Sequence, residues 1–405
     1  MSVTKGSHRI LCCGALLFCL AAFSANTALA LEVRAALLRV DTTGSLPISR
    51  LDLPPEDLGI AGGRLGTEDN QTTGRFTDTT YTLETRVVAP EAAVEALDEL
   101  LGQGIGLVAV MADGATVAEL ARRAGERAVI LNASAPDDDL RSEACAANLL
   151  HVAPSRAMLA DALVQFLVWK KWPRIFLIHG SHPADLALAE SYRRAARKFG
   201  AKIVEERVFE DTGGARRTDS GHVLVQRQIP VFTQRAEDHD VVVAADESDV
   251  FAPYLPYHTW DPRPVAGSAG LTPVSWTWAH EAWGATQFQR RFEKLNGRPM
   301  RPQDYQAWLA MRVIGEAVTR TGSNDPARLR DYVLSDGFEL AAFKGQKVTF
   351  RPWNGQMRQP ILLTNLHLTV SVSPQDGFLH QTSPLDTLGL DRPESGCTAF
   401  KEIRP

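Results

Sequence analysis

Between Asn148 and Glu205 the apolar positions change period repeatedly. Met158, Leu159, Ala162, Leu163, Phe166 and Leu167 fall three and four apart, the spacing of one helical face. Pro173 ends this predicted helix after Trp172, because its ring disfavours helical backbone at the preceding residue. Arg174 to Ile178, RIFLI, is a short β-rich run, and HGSHPAD is a turn. Leu186, Ala189, Tyr192, Ala196 and Phe199 make a second helical stripe, which Gly200 ends by tolerating left-handed backbone. Ile203 and Val204 begin the next strand. A strand–helix–strand crossover of this kind implies a parallel sheet covered on both faces.

The N-terminal half follows the same scheme. Glu32 to Val40 reads as a strand, and a long proline-dotted loop runs to Asp57. Leu58 to Asp69 reads as a helix ending in an Asn-Gln-Thr-Thr-Gly turn. It holds four glycines, each costing about 1 kcal/mol against alanine, so another element must pack very close to it. Tyr81 to Val88 is a strand. Pro90 opens a helix striped by Val94, Leu97, Leu100 and Leu101. Ile105 to Met111 and Ala128 to Leu131 are strands flanking a helix over Thr116 to Ala124. This β-α-β-α-β-α-β order predicts a doubly wound α/β lobe, and the chain from Asn148 onward repeats it as a second lobe. Further along, Val223 to Thr233 reads as a helix interrupted at Pro230, Asp240 to Ala245 as a strand, and Val265 to Leu271 as strand-like. Glu281 to Leu295, Gln303 to Thr321 and Ala327 to Ser335 read as helices. A hairpin and a last strand follow, and from Ser373 the chain reads as a polar, proline-dotted tail.

The 405 residues are 44% hydrophobic and 22% charged, ordinary for a globular chain of two or more domains. The first thirty differ. Lys5, His8 and Arg9 precede an apolar run from Ile10 to Phe23, and Ala28-Leu29-Ala30 supplies small residues at a cleavage point. This is the pattern of a secretory signal peptide cut after Ala30; the run is shorter than the ~20 residues a membrane span needs. Loss of Lys5 and Arg9 would take the formal charge from −5 to −7, which argues against nucleic acid as a partner. Cys12, Cys13 and Cys19 would leave with the signal. Cys145 and Cys397 remain, and an oxidising compartment favours one disulfide over two separate thiols.

Motifs of chemistry are sparse. Gly102-Gln-Gly104-Ile-Gly106 lies after a helix and before a strand, the reverse of a dinucleotide loop. No nucleophile elbow, zinc-protease motif or phosphate loop occurs, so no enzyme and no cofactor is expected. His179 and His182 lack carboxylates at ligand spacing. Asp246, Glu247 and Asp249 could hold Ca²⁺ through oxygen ligands but read more readily as a solvated loop. Arg216-Arg217 could grip an anion or simply be exposed. Of Trp260, Trp276, Trp278 and Trp283, one or two are expected to face a cleft, with Trp283 an alternative candidate for helix core.

Taken together, these passages resemble the branched-chain amino acid receptor family of type I periplasmic substrate-binding proteins of ABC transporters. The match is carried by Leu58 to Gly74, Met111 to Thr116, Val129 to Leu140, the Asn148 to Glu205 unit, Phe288 to Val318 and Phe338 to Gly355. SRLDLPPEDLG, SHPAD, DTGGARRTDSGH, QRQIPVFTQRAEDHDVVVAADES and YLPYHTWDPRPVAGSAGL look like a subfamily associated with pyrroloquinoline quinone-dependent alcohol dehydrogenase systems.

The resemblance implies two doubly wound α/β lobes joined by a hinge. The first would hold residues 31–150 and 275–357, the second 151–274 and 358–372, with 373–405 a tail after the 1–30 signal. It implies a monomeric periplasmic protein that closes on a small molecule and docks on an inner-membrane permease. A periplasmic sensor serving a separate membrane receptor is the alternative. Loops at the carboxyl ends of strands form the cleft in such sheets. That places Asp113, Gly114, Asn132, Ser134, His182, Asp185, Asp246 and Glu247 there. The pattern also departs from amino acid receptors. Asp113 stands where a serine would hold the ligand carboxylate, Ala135 or Pro136 replaces a threonine, and Ala269 replaces the acid that meets an ammonium group. A carboxylate at 113 repels an anion, so a neutral or cationic ligand with hydroxyls and some apolar surface is expected.

Overall fold

The computed structural model describes residues 30–41, 47–212 and 219–400. The expected signal segment and the Arg216-Arg217 loop lie outside the described residues. Among those described, no helix is long and apolar enough to cross a membrane.

The chain first builds β1 (Leu31–Val40), α1 (Ile60–Gly74), β2 (Thr79–Val88), α2 (Ala93–Gly102), β3 (Leu107–Met111), α3 (Gly114–Ala124), β4 (Val129–Asn132) and β5 (Leu149–His151). The strands form one parallel sheet in the order β2-β1-β3-β4-β5. Then come α4 (Arg156–Trp169), β6 (Arg174–Gly180), α5 (Pro183–Phe199), β7 (Lys202–Phe209), α6 (Asp219–Thr233), β8 (Val241–Ala245) and β9 (Val265–Gly267). Their strands form a second parallel sheet, β7-β6-β8-β9. After β10 (Thr272–Val274), the helices α7 (Ala285–Asn296), α8 (Pro302–Thr321) and α9 (Pro326–Val333) return to the first lobe. So does the small antiparallel sheet of β11 (Leu340–Ala341), β12 (Lys347–Phe350) and β13 (Met357–Arg358). β14 (Ile361–Thr364) pairs with β10 on one side and β15 (Thr369–Ser373) on the other, and this sheet lies against α4 in the second lobe.

Period-two alternation works on both faces of each sheet. On β1 and β3, Leu37 and Ala109 face one apolar cluster, shared with α1 and α8, while Ala36, Leu38, Val108 and Val110 face another, shared with α2 and α3. On β6 and β8, Ile175, Leu177 and Val243 meet α4 and α5, and Phe176, Ile178 and Val242 meet α6. Two doubly wound α/β lobes result.

The glycines of α1 explain themselves. A Cβ on Gly62 would stand 1.8 Å from the Asp304 carbonyl oxygen of α8, and one on Gly66 would stand 2.8 Å from Met311 Cβ. The helices meet backbone to backbone. Gly62→Ala is therefore expected to lower stability by at least about 1–3 kcal/mol, the cost of overpacking, as a shift in the urea midpoint.

Several elements differ from the sequence reading. α1 runs on to Gly74, because Asn70 donates to the Met311 carbonyl and Gln71 binds Thr79 and Tyr81. The polar side chains expected to make a turn are engaged in tertiary bonds. α6 runs through Pro230, which gives up one helical N–H bond near the helix end without stopping the helix. α7 begins at Ala285, not Glu281, because Trp283 and Gly284 have φ of +52° and +83°. The stretch expected as one strand from Val265 folds back at Gly267 and Gly270, both at positive φ, and continues as β10. α4 is buried almost all round, since β14, β15 and the chain after Ser373 cover the side away from β6.

That last segment is not a loose tail. Leu385, Asp386 and Leu388 are buried, and Cys397 is disulfide-bonded to Cys145 with Cα atoms 5.7 Å apart.

Buried polar side chains tie the passages between lobes. Arg141 donates to Gln356 and to the Ala153 carbonyl. Gln359 donates to the Val152 carbonyl, and Lys344, itself buried, donates to Gln359 and the Pro360 carbonyl. His151 is fully buried, and burial together with the nearby Arg141 charge holds its pKa well below the usual value. The folded state thus keeps His151 neutral while the unfolded chain protonates it below about pH 6.5. The stabilisation is complete above that pH and is lost as pH falls, at about 1.4 kcal/mol per pH unit. Urea unfolding between pH 7 and 5 should show this loss, reduced by about one proton in His151→Gln.

Candidate functional site

A cavity of about 610 Å³ opens at the carboxyl ends of the first-lobe strands, the edge where open α/β sheets place ligands. β1 contributes Arg39 and Asp41, β3 runs out into Met111 and Asp113, and Ser134 follows β4. The remaining wall is the segment Pro54 to Leu58, between β1 and α1.

This segment ends a strap, residues 47–58, that touches both lobes. Arg39 fixes its return to the first lobe by donating to the carbonyls of Glu56 and Leu58, at 2.8 and 3.0 Å. Arg301 donates to the carbonyls of Leu51 and Asp52. Earlier in the strap, the Ile48 N–H donates to Asp249 at 2.6 Å, and the Ile48 side chain packs on the apolar cluster of the second lobe.

The cavity's electrostatics favour positive charge. The Arg39 guanidinium is bound to Asp41 at 2.8 and 3.1 Å as well as to the two carbonyls. Among the described residues no cation pairs with the Asp113 or Glu56 carboxylate, and both residues are exposed. Asp113 caps α3, accepting from the Thr116 N–H and hydroxyl at 3.0 and 2.8 Å.

The eight residues expected at the cleft divide. Asp113 and Ser134 line the cavity. The Ser134 hydroxyl, however, already pairs with both backbone groups of Ala112. Gly114 adds no side chain; a Cβ there would stand 2.6 Å from Asp137. Asn132, fully buried, accepts from the N–H groups of Ser134 and Ala135 and donates to the Ala135 carbonyl. His182 precedes α5, its Nε2 2.9 Å from Asp211. Asp185, also buried, accepts from the N–H groups of His182 and Ser248. Asp246 accepts three successive backbone N–H groups, from Val250, Phe251 and Ala252; burial raises its pKa against their pull. These four side chains hold the loops that frame the cleft.

Glu247 leads to a residue that the sequence did not single out. The Arg156 guanidinium, on the first turn of α4, grips Glu247 through two bonds of 2.6 and 2.9 Å and Asp137 through one of 2.9 Å. Asp137 follows the first-lobe strand β4; Glu247 follows the second-lobe strand β8. Burial opposes the Arg156 charge, yet the bonds and attraction of the two carboxylates raise its pKa.

Among the described residues, no three His, Cys, Asp or Glu side chains group as a metal site. His179 instead meets the Gly180 carbonyl and Glu206. None of the four clustered tryptophans lines the cavity. Trp276 is core, stacked on Tyr305 at 4.6 Å. Trp260, Trp278 and Trp283 are half exposed or more. Trp283 lies outside the helix it was expected to pack in, over Gly345.

Residues 87–226 match the family model described as periplasmic binding protein. No curated protein matches the sequence. Solved structures match over nearly the whole chain. A branched-chain amino acid ABC transporter periplasmic ligand-binding protein from Burkholderia xenovorans is 16% identical with a TM-score of 0.69, covering 91% of this chain and all (100%) of its own. A periplasmic binding protein from Burkholderia mallei is 15% identical with a TM-score of 0.63, over 91% and 99% of the two chains. An ABC transporter solute-binding protein from R. palustris, solved in complex with benzoate, is 13% identical with a TM-score of 0.62, over 90% and 99%. The chain therefore has the two-lobed type I periplasmic binding protein fold, a fold of substrate-binding proteins.

Proposed function

We propose that this chain is the periplasmic solute-binding component of an ABC transporter and takes a small neutral or cationic molecule between its lobes. The observation that carries this reading is the cavity of about 610 Å³ at the carboxyl ends of the first-lobe strands, whose walls are all first-lobe residues and which would form that lobe's share of an interlobe site. Asp113 and Glu56 give it negative charge, and the one guanidinium on its wall is already bound to Asp41. An anionic solute entering there would meet repulsion without a ready counter-charge. The fold and the matched segment are those of binding proteins with such partners, which supports a membrane permease as the docking partner and export with cleavage after Ala30. The lobes would divide near residues 150, 275 and 358. The resemblance of the SHPAD and YLPYHTWDPRP passages supports a link to a pyrroloquinoline quinone-dependent alcohol dehydrogenase system, with an alcohol-derived metabolite as the solute.

The test is thermal unfolding of the chain from Leu31 against amino acids, short and aromatic alcohols, their aldehydes and acids, polyamines and the quinone. A ligand at a hundred times its Kd adds about 2.7 kcal/mol, and each kcal/mol moves the midpoint by roughly 2–4 °C in domains of 150–250 residues. A shift of several degrees with one neutral or cationic class is expected. A shift with leucine would overturn the ligand class, and none across the panel would overturn solute binding.

A further inference from the structure

Arg156 joins the two lobes through one carboxylate from each. Its partners Asp137 and Glu247 stand on loops that leave the carboxyl ends of β4 and β8, one from each lobe. The guanidinium presents two N–H groups side by side to Glu247 and a third nitrogen to Asp137. Such forked, charge-assisted bonds are the usual way a carboxylate recognises a guanidinium.

The surroundings are built for this placement. The Arg156 N–H donates to the Pro136 carbonyl at 2.8 Å. The next residue on α4, Ala157, donates its N–H to Asp138, which also accepts from Ser191 of α5. The bare backbone at Gly114 leaves room for Asp137. Arg156 is 7% exposed, whereas the Asp137 and Glu247 side chains keep 31% and 32% exposure. Asp137 and Arg156 also line a groove of about 490 Å³ with Ser191, Arg194, Arg197 and Leu390, so the Asp137 end of the pair is open to solvent, while Glu247 is not on its wall.

We propose that Asp137 and Glu247 form a guanidinium-binding site spanning the two lobes, and that Arg156 is its built-in occupant. A guanidinium compound can therefore enter the interlobe pair only by displacing Arg156. The proposal rests on the solute-binding reading of the cleft. Its test uses a different ligand and a different variant, so either can fail without the other.

Arg156→Ala removes the occupant and leaves the carboxylates. Ethylguanidinium, the end of an arginine side chain, is titrated into this variant and into the unaltered chain from Leu31 by calorimetry, with sodium chloride matching ionic strength. The variant is expected to bind it with a Kd on the order of 1 mM and to gain thermal midpoint, while the unaltered chain does neither. The double change Arg156→Ala with Glu247→Gln should abolish binding. If Arg156→Ala does not fold alone, its refolding yield is compared with and without ethylguanidinium, and recovery that sodium chloride does not reproduce supports the site. Equal behaviour of Arg156→Ala and the unaltered chain, or no recovery of a misfolded variant, overturns it.

Discussion

Asp386→Ala is expected to lower unfolding free energy by about 3–5 kcal/mol, the cost of breaking a buried ion pair from one side. Asp386 has no exposed surface, and its carboxylate accepts from Arg351 Nε at 2.9 Å and from Arg358 Nε at 2.8 and 2.9 Å. Arg351 is 1% exposed and Arg358 9%. Removal of the acid would leave two buried guanidinium groups without the carboxylate they share. Arg351 would keep the carbonyls of Leu385 and Leu388, which lie on the same segment as the lost acid. Urea unfolding at pH 7 reads the loss directly. A midpoint unchanged from that of the unaltered protein would mean that the C-terminal segment does not support the fold as described.

Cys397→Ser is expected to cost about 2–5 kcal/mol. The bond joins residues 252 apart in sequence, and loop-closure entropy grows with that separation. The segment it secures touches both lobes. Thr387 meets Gln165, Gly389 meets Asp161 and Lys198, and Glu394 meets Lys198 on the second lobe. Ser395 and Gly396 meet Arg141 and Ser142, beside Cys145, on the first. Reduction of the unaltered protein should reproduce the loss. The Cys397→Ser and Asp386→Ala effects should not add fully, since both release one segment.

The parallel sheets were legible in the sequence because most of their strands and helices carry their period locally, β9 with its fold-back at Gly267 being an exception. The glycines of α1 could be read the same way: their helix cost required a close neighbour, and α8 is that neighbour. The C-terminal segment was not legible. Its two buried leucines, Leu385 and Leu388, lie among prolines and polar residues, and the α4 side chains that Leu388 clusters with are more than two hundred positions away. The site was read only in part for a related reason. Asp113 and Asp246 both end strands as exposed-looking acids in sequence. Yet one opens onto a cavity while the other binds its own loop's N–H groups, and only backbone geometry separates them. Arg39 could have been suspected from its place at the end of β1. Arg156 carries no such signal, because its partners come from two different loops.

The central claim is that the cavity beside Asp113 holds the solute, and the most direct measurement is a calorimetric titration with the panel ligand that gives the largest thermal shift. The chain from Leu31 is compared with Glu56→Lys, which reverses an exposed charge on the cavity wall. The account predicts saturable binding of a neutral or cationic molecule to the unaltered chain and at least about a tenfold loss in Glu56→Lys, or about 1.4 kcal/mol. Equal affinity in the two proteins would contradict it.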